Sequence, residues 1–262
     1  MISEQLDFAG RVAIVTGGGT GIGFATARQL AMLGASVVIA SRTVEELGAA
    51  ASSIASESGN PCLSVPTDVK DEAAIVALVQ RTFDEFGRID VLINNAGGTR
   101  MGPLENIPTR GWDSIFELNL RSVYMATREA GKHMRAQGKG AIVNISSGGG
   151  THGVKGGAHY SAAKAGVQMF TTVSAAEWGK YGIRVNCVAP GAIASPRASA
   201  AWDAAGIDMI PQLRASTPLR RVGTPDEMAN MIVFFASDAA SYITGQTISV
   251  NGGPSIGGIP DE

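Results

Sequence analysis

The chain has 262 residues, 45% of them hydrophobic, with 21 basic against 23 acidic side chains and a formal net charge of −2. That length is ample for a large buried core, while a near-neutral charge without blocks of one sign argues against a nucleic-acid or anionic-membrane footprint. Cys62 and Cys187 have neither CxxC spacing nor histidine companions, which speaks against a disulfide scaffold or a zinc centre and favours a reducing compartment.

Met1 to Gly10 lacks the basic and apolar regions of a signal peptide, and no apolar run is long enough to span a bilayer. A soluble cytoplasmic protein without a bound metal is the expectation. Val12–Thr16 is the first of seven short apolar runs; Ser36–Ala40, Cys62–Pro66, Val91–Asn94, Gly140–Ser146, Arg184–Ala189 and Thr247–Val250 follow. They are rich in Val, Ile and Ala with little polar alternation, as strands covered on both faces must be. Helices are predicted between them over Ile22–Leu33, Val44–Glu57, Glu72–Phe86, Trp112–Arg135, Tyr160–Lys180 and Pro225–Ser237. The alternation predicts an α/β fold: one domain over residues 1–262, with a doubly wound parallel sheet of seven strands and helices on both faces. The stretch 191–217, with Pro196, Gly206 and Pro211, is the least regular and is expected to form a substrate loop; Pro196-Arg197 and the Trp202 segment look lid-like.

Thr16-Gly17-Gly18-Gly19-Thr20-Gly21-Ile22-Gly23 joins the first strand to the first helix. Glycines there permit a tight turn and let backbone N–H groups approach a pyrophosphate, and the helix amino end favours negative charge. This is the dinucleotide site of a Rossmann fold. The second strand ends in Ala40-Ser41-Arg42 rather than in an acid. Ser41 can donate to a 2′-phosphate and Arg42 can pair with one, so NADP(H) is favoured and NAD(H) remains possible.

Several motifs occur in order. Thr16 to Gly23 resembles the TGxxxGxG turn of the short-chain dehydrogenase/reductase superfamily, and Asn94-Asn95-Ala96-Gly97 resembles its NNAG motif. Asn119 stands where that family has a helix asparagine; Ser147 precedes Tyr160 by thirteen residues, and Tyr160-Ser161-Ala162-Ala163-Lys164 is similar to its YxxxK. Pro190-Gly191 and Asn251-Gly252-Gly253 resemble later markers, so the likeness runs from about Gly10 to Gly253. Within the family the pattern is similar to the β-ketoacyl and general ketone reductases. The runs Arg184 to Gly191 and Ser241 to Gln246 also resemble peroxisomal trans-2-enoyl-CoA reductases.

The resemblance implies catalysis by Asn119, Ser147, Tyr160 and Lys164. It implies cofactor contacts from Gly17, Thr20, Gly21, Ile22, Gly23, Ser41, Arg42, Asp68, Val69, Asn95, Ala96, Gly97, Tyr160, Lys164, Pro190, Gly191, Ile193 and Ser195, with Asn94 beside the adenosine half. Asp68 would contact adenine, Ser195 would sit near the nicotinamide carboxamide, and Asn119 would position a water. It also implies a homotetramer built on the helices Trp112–Arg135 and Tyr160–Lys180.

The chemistry suits those residue types. Tyr160 and Lys164 lie one helical turn apart, where an ammonium, together with the positive nicotinamide of an oxidised cofactor, is expected to lower the phenol toward neutral pH. Tyr160 would then protonate a developing alkoxide while Ser147 donates to the same oxygen. A ketone, secondary alcohol or acyl thioester is the expected small-molecule substrate. Reduction of a carbon–carbon double bond and non-catalytic NADP(H) binding are the alternatives. Arg100, His152 and His159 either face substrate or serve the loop and core, whereas His133 reads as an exposed helix residue. Tyr124 and Arg128 are an ordinary helical aromatic–cation pair.

Overall fold

The computed structural model describes residues 1–196, 198–200 and 209–254. Seven strands form one parallel sheet in the order β3-β2-β1-β4-β5-β6-β7. They are β1 Val12–Thr16, β2 Ser36–Ser41, β3 Cys62–Pro66, β4 Val91–Asn94, β5 Gly140–Ile145, β6 Ile183–Pro190 and β7 Thr247–Val250. The helices are α1 Ile2–Gln5, α2 Gly21–Met32, α3 Val44–Ser58, α4 Glu72–Phe86, α5 Thr109–Phe116, α6 Ser122–Gln137, α7 Gly148–His152, α8 Ala158–Trp178, α9 Met209–Ser216 and α10 Pro225–Ala236.

The strand alternation divides the core. Ala13 and Val15 of β1, with Val37 and Ile39 of β2, pack under α2, α3 and α10 through Leu30, Leu47, Ile54 and Ile232. Ile14 and Val38 face the opposite way, onto Ile75 and Leu78 of α4 and Met125 and Met134 of α6. Because both faces are covered, β1, β4 and β5 are buried along their whole length, which is why they read as unbroken apolar runs. The edge strands β3 and β7 are only half buried.

Strand order reverses beside β1, whose neighbours are β2 and β4. A crevice therefore opens at the carboxyl ends of β1 and β4, where crossover helices leave to opposite faces. Most predicted elements end within one or two residues of their expected bounds, and two readings change further. The long helix Trp112–Arg135 begins at Thr109, ends at Gln137 and is interrupted by a π turn over Glu117–Arg121, where Ser122 N donates to Glu117 O. Residues 191–217 are not wholly irregular, because α9 occupies Met209–Ser216. Of the lid-like residues, Pro196 is described, while Arg197 and Trp202 lie outside the described residues.

Candidate active site

The glycine turn lies at the mouth of the crevice. Gly17 and Gly21 have φ of +66° and +59°, backbone that side-chain-bearing residues avoid. A Cβ on Gly17 would stand 2.8 Å from Asn95 Nδ2, and one on Gly23 would stand 2.2 Å from Gly17 O. Asn95 explains the closeness: Nδ2 donates to Thr16 O at 2.9 Å and Gly17 O at 3.2 Å, tying the end of β4 to the turn after β1. Thr16 Oγ1 accepts from the N–H groups of Asn95 and Ala96 at 3.0 and 3.1 Å.

Thr20 caps α2 with backbone alone, so no side chain satisfies the helix N–H groups that face the crevice. The hydroxyl Oγ of Ser41 is buried without a hydrogen-bond partner, 3.4 Å from where a Gly19 Cβ would be. A buried orphan hydroxyl is costly unless something else bonds it. The next side chain, Arg42, is exposed and pairs with no carboxylate among the described residues. Glycine cradle, open helix end, orphan hydroxyl and unpaired guanidinium together fit a phosphorylated dinucleotide.

The remaining predicted cofactor residues differ in exposure. Asp68 is exposed, whereas the Val69 side chain is buried in the core and leaves only backbone for contact. Gly191 N donates to Val250 O at 3.0 Å, Ile193 is buried and bridges to Gly223, and Ser195 Cβ lies 3.3 Å from a Gly21 Cβ position. Pro190 closes β6 beside α7, its carbonyl oxygen 3.6 Å from a Gly148 Cβ position. Asn94 is placed differently from its expectation. Its Nδ2 donates to Asn144 Oδ1 at 2.8 Å and Thr127 Oγ1 at 3.0 Å, in a buried network beneath the crevice.

Ser147, Tyr160, Lys164 and Asn119 do come together. Ser147 ends the chain run from β5 and caps α7, accepting from Gly149 N at 3.1 Å. Its hydroxyl and the Tyr160 ring flank Gly149, 3.4 and 3.6 Å from where a Cβ would stand, and the hydroxyl draws the phenol's value down. Lys164, buried one turn along α8, donates from Nζ to Ile145 O at 2.8 Å and lies 5.9 Å from the centre of the Tyr160 ring. A Cβ on Gly97 would be 2.8 Å from Asn119 Oδ1 and 3.1 Å from Lys164 Nζ, so only glycine lets the loop after β4 close on both. The π turn aims Asn119 at that loop. Its Nδ2 donates to Gly98 O at 2.8 Å and Ile115 O at 3.0 Å, while Oδ1 accepts from Gly98 N at 3.1 Å. With both donors engaged, only Oδ1 retains side-chain capacity toward a water.

Among the chain's own groups, burial raises the Tyr160 phenol above its ordinary value, and the Ser147 hydroxyl pulls only partly against it. Burial also lowers the Lys164 ammonium to about 8. An ammonium 5.9 Å from the ring and turned to a carbonyl does not overcome the desolvation of the phenol.

The histidines separate clearly. His152 is exposed; His159 is buried, stacked on Trp112 at 6.4 Å, with Nδ1 unpartnered. His133 is half-buried rather than exposed, because it stacks on Phe83 at 4.3 Å and joins α6 to α4. The Tyr124–Arg128 pair forms as an ordinary contact at 3.1 Å. Ser146 and Gln168, which sequence reasoning missed, bond each other behind Ser147 at 3.1 Å. The serine pair at a strand end was a visible signal for Ser146; nothing local marked Gln168. Among the described residues no group of His, Cys, Asp and Glu could hold a metal, and no helix is long and apolar enough to cross a membrane.

A family model described as enoyl-(acyl carrier protein) reductase, of the short-chain alcohol dehydrogenase type, matches residues 17–255. The cis-4-hydroxycyclohexanecarboxylate dehydrogenase of Sinomonas cyclohexanicum is 42% identical over 94% of this chain and 97% of its own length. A 3-oxoacyl-[acyl-carrier-protein] reductase of Synechocystis sp. is 41% identical over 93% of this chain and 96% of its own. The crystal structure of levodione reductase superposes with a TM-score of 0.90 at 35% identity, covering 94% of this chain and 97% of that one.

Proposed function

The chain belongs to the short-chain dehydrogenase/reductase family, and from that premise we propose that it interconverts a ketone and a secondary alcohol using NADP(H). The observation that carries this reading is the meeting of Ser147 and Tyr160 over Gly149, with buried Lys164 5.9 Å from the phenol ring. Two neighbouring hydroxyls suit a substrate oxygen that gains or loses a proton.

A bound nicotinamide would supply or accept the hydride. In reduction the Tyr160 phenol gives its proton to the developing alkoxide, and Ser147 donates to the same oxygen. Lys164 and Asn119 close the site from behind, and Lys164 would hold the nicotinamide ribose. Ser41 and Arg42 would take the 2′-phosphate; the Ser41 hydroxyl and the Arg42 guanidinium, both without partners among the described residues, support that choice over NAD(H).

Arg100 and Lys155, exposed and without acidic partners among the described residues, lie near where Gly102 N donates to Gly156 O at 2.8 Å. They favour an anionic substrate, such as a carboxylate or the phosphates of an acyl-thioester carrier. The two unpaired thiols, Cys62 and Cys187, suit a reducing cytoplasm.

A second copy of the chain fits the outer face of α5, α6 and α8. A groove of about 550 Å³ there is lined by Phe116, Leu120, Tyr124, Gly166 and Phe170. Met169 and Val173 continue the apolar surface and are 64% and 48% exposed, which supports a homotetramer assembled through these helices.

The test is a panel followed by NADPH absorbance. It contains 4-oxocyclohexanecarboxylate, acetoacetyl-CoA, levodione and a neutral ketone, with crotonyl-CoA as the carbon–carbon double bond. Reduction of one or more ketones, faster with NADPH than NADH, is expected. Turnover of crotonyl-CoA alone would establish double-bond reduction, the second reading, which the description of the matching family model favours. NADPH binding without any turnover would leave a non-catalytic role.

A further inference from the structure

Proton transfer as read above needs the Ser147 hydroxyl and the Tyr160 phenol to meet at one substrate oxygen, although the two residues belong to different elements. Ser147 is followed by Gly148, Gly149 and Gly150, the residue type with the greatest backbone freedom. We propose that Gln168 is a positioning residue that holds the Ser147 turn against α8 and acts on the reaction through Ser147. This role rests on the function given above to Ser147 and Tyr160.

The hydrogen bonds define how it works. Ser146 Oγ donates to Lys164 O at 2.8 Å, which uses its single proton. Toward Gln168 it can only accept, so the amide presents its NH2 group to it. Gln168 Nε2 donates to Ser146 Oγ at 3.1 Å and to Thr151 Oγ1 at 3.0 Å, and Ser147 O lies 3.5 Å from the same nitrogen. One amide therefore grips the residue before Ser147 and a residue in the last turn of α7.

Backbone contact brings the two segments together but leaves their alignment to side chains. A Cβ on Gly150 would stand 2.7 Å from the Lys164 carbonyl carbon and 2.9 Å from Ala165 N. Nothing on the glycines themselves can set the register. Gln168 lies one turn from Lys164 and two from Tyr160, so the tether hangs from the helix face that carries the proton-transfer pair. Losing it lets the turn slide while leaving the glycine cradle untouched.

A double-mutant cycle tests the role on the full chain, with NADPH and the panel ketone that the wild type reduces fastest. Gln168→Glu sets a carboxylate against two oxygens it cannot donate to; Gln168→Met removes the donor without adding charge, and decides the matter if the first variant melts early. Each is expected to lower kcat about tenfold with the KM for NADPH unchanged. In a Ser147→Ala background each should change kcat by less than about twofold, because the hydroxyl being positioned is gone. Unchanged kcat in the wild-type background, or an equal loss in both backgrounds, overturns the positioning role alone. Full activity of Ser147→Ala would instead overturn the reading of Ser147 itself, and the role of Gln168 with it.

Discussion

Burial acts on Tyr160 and Lys164 in opposite directions, raising the phenol and lowering the ammonium to about 8. For Lys164 the folded chain binds fewer protons than the unfolded chain between about 8 and the ordinary 10.5, so stability rises with pH through that window. Below it both states are protonated and the burial penalty is fully present. Lys164→Met should therefore melt above the wild type at pH 7, with the gap closing toward pH 10, as thermal scans at several pH values would show. The phenol contributes with the opposite sign, costing stability only once pH passes its ordinary value of 10. Tyr160→Phe removes the acid/base and should lower kcat about 10²- to 10⁴-fold while NADPH affinity, measured by fluorescence titration, stays within about twofold. Ser41→Asp would put a carboxylate where the orphan hydroxyl now lies. It is expected to raise the KM for NADPH about tenfold or more and shift kcat/KM toward NADH; an unchanged preference would remove Ser41 from phosphate recognition.

At the scale of elements, buried asparagines do what apolar packing cannot. Asn94 and Asn144 link β4 to β5, and through Thr127 and Thr171 they reach α6 and α8. Those elements carry the loop after β4, Asn119 and the Tyr160 helix, so the network sets their mutual spacing. Asn94→Leu would strand the Asn144 oxygen and should destabilise by about 1–3 kcal/mol in urea denaturation. The π turn belongs to this scale as well. Its residues, Glu117 to Arg121, have ordinary helical composition and gave no local sign of a break. Within the turn Asn119 bonds Gly98, a contact between segments twenty-one residues apart.

For the whole molecule, a doubly wound parallel sheet leaves its helices outermost, and α8 presents Met169 and Val173 to solvent. If a second copy covers them, Met169→Glu with Val173→Glu should move the protein to a smaller species in light scattering after size exclusion. An unchanged mass would place assembly elsewhere. The seven strands, their parallel order of connection and the glycine turn were all determined by the sequence, because apolar runs, amphipathic spacing and turn chemistry are local properties. The sequence also singled out Ser147, Tyr160 and Lys164, through an ordered pattern that no single residue carries, and the fold brings the three side chains near one another.

What only the tertiary structure decided depends on groups brought together from distant segments. The raised phenol, the saturated Asn119 amide, the buried seat of Asn94, the stacking of His133 and the reach of Gln168 all follow from such neighbours. A side chain's spacing along the chain sets its face on a helix or strand. Desolvation and hydrogen-bond partners are set by what the rest of the fold lays against that face.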